Sequence, residues 1–340
     1  MIIFTARLTK SSFLIYNIMK STSANDRFIE EIKRKFSKSS ELVNKLMDIL
    51  LIEKDAIYRR LRGEVTFTLQ ECTLIAEKLG ISLDNITSAG HAQSRPFFMK
   101  MVDYIEPKDL DYFMMDEFNI FLKEIIPDTS AEYFSSARTI PTIFHYQYET
   151  LTKFHFFKWV YQYMNNRSVK SLQEVKAPDL ALEKLDEQMK LLHQIRNLNF
   201  IIDTMVFQNL INDLTHFKDI GCITHEEIRQ LKSESLQLID YLEEIASKGV
   251  NSLNNKVNFY VSGINFDGNC SYINTQKYKL TLVQTFTLYY ISSLDIIVFE
   301  EIKNWMNSLI KSSTAISEYN YKARNKFFNT QRDIIQNFKI

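Results

Sequence analysis

With 340 residues, the chain is long enough for two or three domains and a sizeable core. Apolar residues make up 45% and charged residues 24%, as in an ordinary folded protein, and 41 Lys plus Arg balance 41 Asp plus Glu, so no global field draws the chain to nucleic acid or to a membrane surface. Seven Gly and five Pro leave few places for the chain to break, and three widely spaced Cys exclude a disulfide framework and point to a reducing cytoplasm.

In chain order, residues 1–19 open with a short apolar run broken by Arg7, Lys10, Ser11 and Ser12. It lacks the cleavage site of a signal peptide. Translation is expected to start at Met19, before the polar stretch MKSTSANDRF, and residues 1–19 are read as an extension. Asp26 to Phe36 then reads as a first helix.

The informative stretch is Ser39 to Ile86. Leu42, Val43, Leu46, Ile49 and Leu50 recur at helical spacing behind Ser39 and Ser40, which serve as an N-cap. After a break at Leu51 and Ile52, a short helix over Glu53 to Arg62 is expected to stop at Gly63. Thr68-Leu-Gln-Glu71 is a capping box, and the helix it opens carries a stripe of Leu69, Cys72, Ile75, Ala76 and Leu79 before Gly80. Ser82 to Ile86 gives one more turn. Cys72, on that stripe, is read as a small core residue.

At about 100° per residue, Ile57 and Leu61 share the buried side of the short helix. Asp55, Tyr58, Arg59 and Arg62 share the opposite side, with Lys54 at its flank. Arg offers a fork of donors to base edges and phosphates, and Tyr can hydrogen-bond a phosphate. A helix, a tight break and a second helix with a polar outer face is the layout that enters a major groove. Between Lys20 and Gly90, 12 Lys plus Arg stand against 11 Asp plus Glu, about +1 net. Sequence-independent affinity for DNA should therefore be modest. The positive charge is clustered at Lys33, Arg34, Lys35 and Lys38, and again at Arg59, Arg60 and Arg62.

Residues Ser39 to Ile86, with Asp26 to Phe36 before them, resemble the five-helix, phage-repressor-like (Xre-type) helix-turn-helix family. The helix order, the Gly63 stop and the tail Ile75-Ala-Glu-Lys-Leu-Gly-Ile-Ser-Leu-Asp84 carry the resemblance, over about a fifth of the chain. The family often has Gly in the turn; here Leu51 or a neighbour stands there. The resemblance implies base reading by Lys54, Asp55 and Arg59, with Tyr58 and Arg62 close by. It also implies a dimer, because one short helix reads too few base pairs. Ser39, Ser40 and the helix N-termini would anchor phosphates.

The small, polar stretch Thr87 to Pro96 marks a linker, which divides the chain into a helix-turn-helix domain over 20–88, a linker over 89–97 and a C-terminal domain over 98–340. Beyond it helices are expected over Lys108 to Ile126 (stripe Leu110, Phe113, Met114, Phe118, Phe121, Leu122, Ile125), over Leu151 to Met164, which is crowded with aromatics, and over Leu180 to Leu192, Phe200 to Phe217 and His225 to Ser247. Phe134 to Phe144 reads as irregular. Val257 to Ile264 and Cys270 to Ile273 read as a hairpin across the Asn265-Phe-Asp-Gly268 turn, joined by Lys279 to Ile291 in a small antiparallel sheet. This β insertion spans about 256–293. Helices resume over Ile296 to Lys311 and Tyr321 to Phe338. The expected fold class is thus mainly α, with a small antiparallel sheet.

No P-loop, Rossmann glycine pattern, H-E-x-x-H or G-x-S-x-G is present. Cys222 and His225 have C-x-x-H spacing without a second pair, so no metal is expected. His145 and His155 have no carboxylate partner by spacing and read as structural. No enzymatic activity and no cofactor are expected, and no segment reads as a membrane span. The sequence points to a cytoplasmic transcription regulator that binds double-stranded DNA as a homodimer, with a C-terminal region that dimerises or senses a small-molecule or protein effector. The alternative is a protein-interaction or ligand-sensing adaptor whose helix-turn-helix does not bind DNA.

Overall fold

The computed structural model describes residues 23–36, 38–81, 83, 86, 100–103, 106–163, 170–284 and 290–339. The expected extension (1–19) and linker (89–97) lie outside these residues. The chain divides into two compact units, Met1–Phe98 and Met99–Ile340.

The N-terminal unit has helices α1 (Ala24–Arg34), α2 (Ser39–Leu50), α3 (Lys54–Leu61) and α4 (Leu69–Leu79). Of the turn expected over Ser82 to Ile86, Leu83 and Ile86 are described, and both are helical. The core joins Phe28, Ile29 and Ile32 of α1, Leu42, Val43 and Leu46 of α2, Ile57 and Leu61 of α3, and Ile75 of α4. Phe67 meets Phe28 edge-on at 5.7 Å, and its amide donates to Asn25 Oδ1 at 3.1 Å. Arg27 Nε donates to the Ile86 carbonyl at 2.9 Å, so α1 holds the far end of the domain. Two sequence expectations change here. Leu69 is 78% exposed rather than part of the buried stripe. The N-cap of α2 is Lys38, without a side-chain cap bond, so Ser39 and Ser40 are the first helical residues.

The C-terminal unit corrects the expected fold class: it is α/β rather than mainly α. Eight strands form one mixed sheet, ordered β1 (Lys100–Met101), β7 (Tyr290–Ser293), β6 (Lys279–Gln284), β5 (Asn269–Asn274), β2 (Glu132–Ala137), β3 (Asn197–Ile202), β4 (Lys256–Ser262), β8 (Ser313–Ala315). β2, β3 and β4 are parallel at the centre, and the remaining pairings are antiparallel. β2 overlaps the start of the stretch read as irregular from Phe134, and β3 runs into the stretch read as a helix from Phe200. Both are buried along almost their whole length. β3 ends in the apolar run Phe200-Ile-Ile202, which periodicity cannot separate from a helical segment, and β2 reads Glu132-Tyr-Phe-Ser-Ser-Ala137, neither an apolar run nor a clean alternation, so no local pattern marks it. The expected β4–β5 hairpin does not form. β3 and β2 lie between those strands, and residues 263–268 cross the carboxyl ends of both.

Helices α5 (Asp109–Ile125), α6 (Thr142–His145), α7 (Glu149–Tyr163), α8 (Asp179–Leu192), α9 (Val206–Asp219), α10 (His225–Lys248), α11 (Ile296–Lys311) and α12 (Tyr321–Asn337) complete the unit. The larger core lies on one face of the sheet and takes in Phe154, Phe157 and Trp159 of α7, so the aromatic stripe there is core. On the other face α11 packs Phe299, Met306 and Leu309 against Phe134, Ile201 and Tyr272. Leu110 and Phe113, expected on the inner stripe of α5, are 66% and 57% exposed; Leu122 and Ile125 of that stripe are buried, and Met115, outside it, is buried as well. Thr224 caps α10 through a capping box with Glu227, and Gly249 ends it with φ +68. Among the described residues no helix is long and apolar enough to cross a membrane.

Two buried groups tie α7 to its surroundings. Glu234 of α10 accepts the amides of Thr150 and Leu151 at 3.2 and 2.8 Å, capping α7 from outside its own chain segment. His145 and His155 stack face to face, centroids 4.0 Å apart and rings 11° from parallel. His155 Nδ1 lies 2.8 Å from the Leu151 carbonyl, and His145 Nδ1 has no partner. Burial, with Lys158 nearby, lowers His155 to about 4. Burial and His155 hold His145 well below its ordinary value, and burial also lowers His193. Between the unfolded value of about 6.5 and these lowered values the unfolded chain binds more protons, so stability is lost as pH falls through that window. From His155 alone the loss between pH 7.5 and pH 5 is about 2 kcal/mol. Both tryptophans, Trp159 and Trp305, lie in this unit. Urea titrations followed by tryptophan fluorescence should therefore show the midpoint falling from pH 7.5 to 5, and falling less in His155→Leu.

Candidate nucleic-acid interface

Helix α3 is only eight residues long, and two apolar side chains set its orientation. Ile57 and Leu61 are buried. Lys54, Asp55, Arg59 and Arg62 are exposed, and Tyr58 is half-buried. The structure thus brings five of the seven expected site residues onto one outward side. Lys54 Nζ stands 6.0 Å from the Tyr58 ring centroid. The other two, Ser39 and Ser40, are exposed in the first turn of α2. There the helix's first amides have no side-chain cap, which leaves a positive helix end.

The turn between α2 and α3 is built on Leu51. Its backbone is left-handed (φ 53, ψ 40), and its amide donates to the Met47 carbonyl at 2.8 Å. This is the conformation that glycine adopts without cost. The Leu51 side chain is 88% exposed, so little packing offsets the strain. At the other end, Arg62 remains right-handed and Gly63 reverses the chain at φ +76. The Gly63 amide donates to the Arg60 carbonyl and the Glu64 amide to the Arg59 carbonyl, both at 2.9 Å. Together these bonds make a Schellman closure.

The sequence reading did not find the carboxylates that meet the arginines. Arg60 points to the buried flank, where Nε and Nη2 donate to Glu71 Oε2 and Oε1 at 3.2 and 2.8 Å. Glu71 also completes the capping box of α4 through the Thr68 amide. Arg60 is therefore a clamp between α3 and α4, not part of the outward basic cluster. Its position on the helix, off the exposed arc, is the signal that could have shown this. Glu64 receives Arg62 Nε at 2.6 Å and Nη2 at 3.1 Å, and Arg59 Nε lies 3.8 Å away. The Arg62 hydrogen bond holds the Glu64 carboxyl below its usual range. The first basic cluster is likewise met by carboxylates one turn away: Lys33 by Glu30, Arg34 by Glu31 and Lys38 by Glu41. Lys35 Nζ reaches the Gly80 carbonyl at 3.5 Å.

Other features of the chain offer less. Cys222 is buried while His225 is exposed, and no group of three or more His, Cys, Asp or Glu among the described residues could hold a metal ion. The open groove between α10 and α12 is lined by Asp240, Glu243, Lys248, Arg324 and Arg332. Arg332 is held there by Asp240 and Glu243. No protein-family model, curated protein or solved structure matches the chain.

Replacing Leu51 with Gly should stabilise the N-terminal unit by about 0.5–1 kcal/mol, the left-handed strain relieved less the extra freedom of unfolded glycine. Hydrogen exchange of the α2 and α3 amides measures this. Unchanged or faster exchange would show that the exposed leucine has a packing role.

Proposed function

We propose that this protein is a cytoplasmic, sequence-specific regulator that binds double-stranded DNA through α3, with the C-terminal unit serving for dimerisation, effector sensing or both. The observation that carries the reading is the single outward arc of Lys54, Asp55, Tyr58, Arg59 and Arg62 on a two-turn helix. That set offers donor forks for guanine edges and phosphate oxygens, a phenol for phosphate, and a carboxylate that can accept from cytosine. Ser39, Ser40 and the uncapped amides of α2 supply donors for the phosphate backbone beside the groove. One helix of this length covers only a few base pairs, and a second copy would supply the other half-site.

A second reading has its own support. The charges on and around α3 nearly cancel, since Glu64 meets Arg59 and Arg62 and Glu71 meets Arg60. A domain with so little free positive charge is also consistent with an adaptor that binds protein or ligand without touching DNA. Binding to random and genomic duplexes over a range of salt separates the two: a regulator selects particular genomic fragments, and an adaptor retains none. On a selected fragment at fixed salt, Arg59→Ala should weaken binding by about 1–3 kcal/mol. Unchanged affinity would remove Arg59 from the reading set.

A further inference from the structure

The proposed interface contains an anion that works against it, and the turn geometry fixes where that anion sits. Glu64 follows Gly63, whose left-handed backbone folds the chain back toward the helix it has just left. The Glu64 amide is bonded to the Arg59 carbonyl. Its carboxylate takes both the Nε and the Nη2 of Arg62 and lies 3.8 Å from Arg59 Nε. The backbone of Glu64 is thus tied to Arg59, while its side chain meets both Arg59 and Arg62. These are the two arginines exposed on the outward arc, whereas Arg60 is committed to Glu71.

We infer that Glu64 sets the specificity of DNA binding, by occupying Arg59 and Arg62 in the free protein and yielding them only where base edges and phosphates replace its oxygens. The inference rests on the DNA-binding reading. A carboxylate beside the groove repels every phosphate alike, so it lowers sequence-independent capture whatever the sequence. On a matched site the arginine forks gain bidentate partners that offset the lost pair; on a random site they gain only a phosphate. The pair is exposed, with side chains at 57% and 47%, and pairs of that kind are weak enough for a duplex to open. Holding the forks in one place also limits the side-chain freedom lost on binding.

The test is fluorescence anisotropy of the full-length protein, with a labelled duplex of random sequence and with a duplex selected from a random pool by the wild-type protein, over a salt series. Glu64→Gln keeps the shape of the side chain and removes its charge. Glu77→Gln removes an equal charge from an exposed position on α4 that lies outside the Arg59–Glu64–Arg62 cluster. Helical circular dichroism checks that both variants fold. Glu64→Gln is expected to bind the random duplex about fivefold more tightly near 0.1 M salt, with a log–log salt slope steeper by about 0.9, one added phosphate contact. Its preference for the selected duplex should shrink, while Glu77→Gln stays within about twofold of wild type, as expected for a charge outside the interface. If wild type binds and Glu64→Gln gains no more than Glu77→Gln, the role of Glu64 is overturned and the DNA-binding reading stands. If neither wild type nor Glu64→Gln binds any duplex, the DNA-binding reading itself fails.

Discussion

The burial of Ile57 and Leu61 decides everything that α3 presents. A helix of two turns has no length with which to average its orientation, so two apolar side chains against Leu42, Val43, Leu46 and Ile75 fix its rotation. Once they are buried, Lys54, Asp55, Arg59 and Arg62 must face outward. Arg60, on the flank, needs a partner for its desolvated guanidinium and finds it in Glu71. The closure at Gly63 then returns Glu64 to the outward side. The charge arrangement of the helix is thus a result of packing and of one reversed backbone position.

The C-terminal unit follows a different constraint. β2 and β3 are buried along almost their whole length, so their backbone polar groups must be satisfied within the sheet. The flanking antiparallel strands supply partners on the outer sides of β2 and β4. Two serines buried in the sheet satisfy each other: Ser271 Oγ donates to Ser135 Oγ at 2.9 Å and lies 3.1 Å from the Tyr133 hydroxyl. Both edges of the sheet end in strands of two and three residues, which leave little free backbone for another chain to pair with.

The N-terminal helices were legible because their signals are local. Thr68 with Glu71, the left-handed Gly80 and the stop at Gly63 each act within four residues, and the structure shows all three. The outward arc of α3 was legible because it depends only on helical geometry. What was not legible is non-local. β2 and β3 are strands because the sheet covers them on both sides, and nothing within Glu132–Ala137 or Asn197–Ile202 distinguishes that from the interior of a helix. The adjacency of β5 to β2 depends on a sheet order that the Asn265–Gly268 turn does not encode. In the candidate interface the cations could be read from their spacing. The carboxylates that meet them could not, because one sits beyond a chain reversal and the other on the next helix.

The crossing of residues 263–268 has a consequence for how the chain is made. β2 receives its outer neighbour from β5, more than 130 positions later in the sequence. Until that segment leaves the ribosome, one side of Glu132–Ala137 carries unpaired amides and carbonyls, next to the large apolar rings of Tyr133 and Phe134. A nascent or prematurely ended chain would hold an open strand of the kind that recruits its own copies. The finished molecule hides this liability at the centre of its sheet; the growing one must carry it through most of the synthesis of the unit.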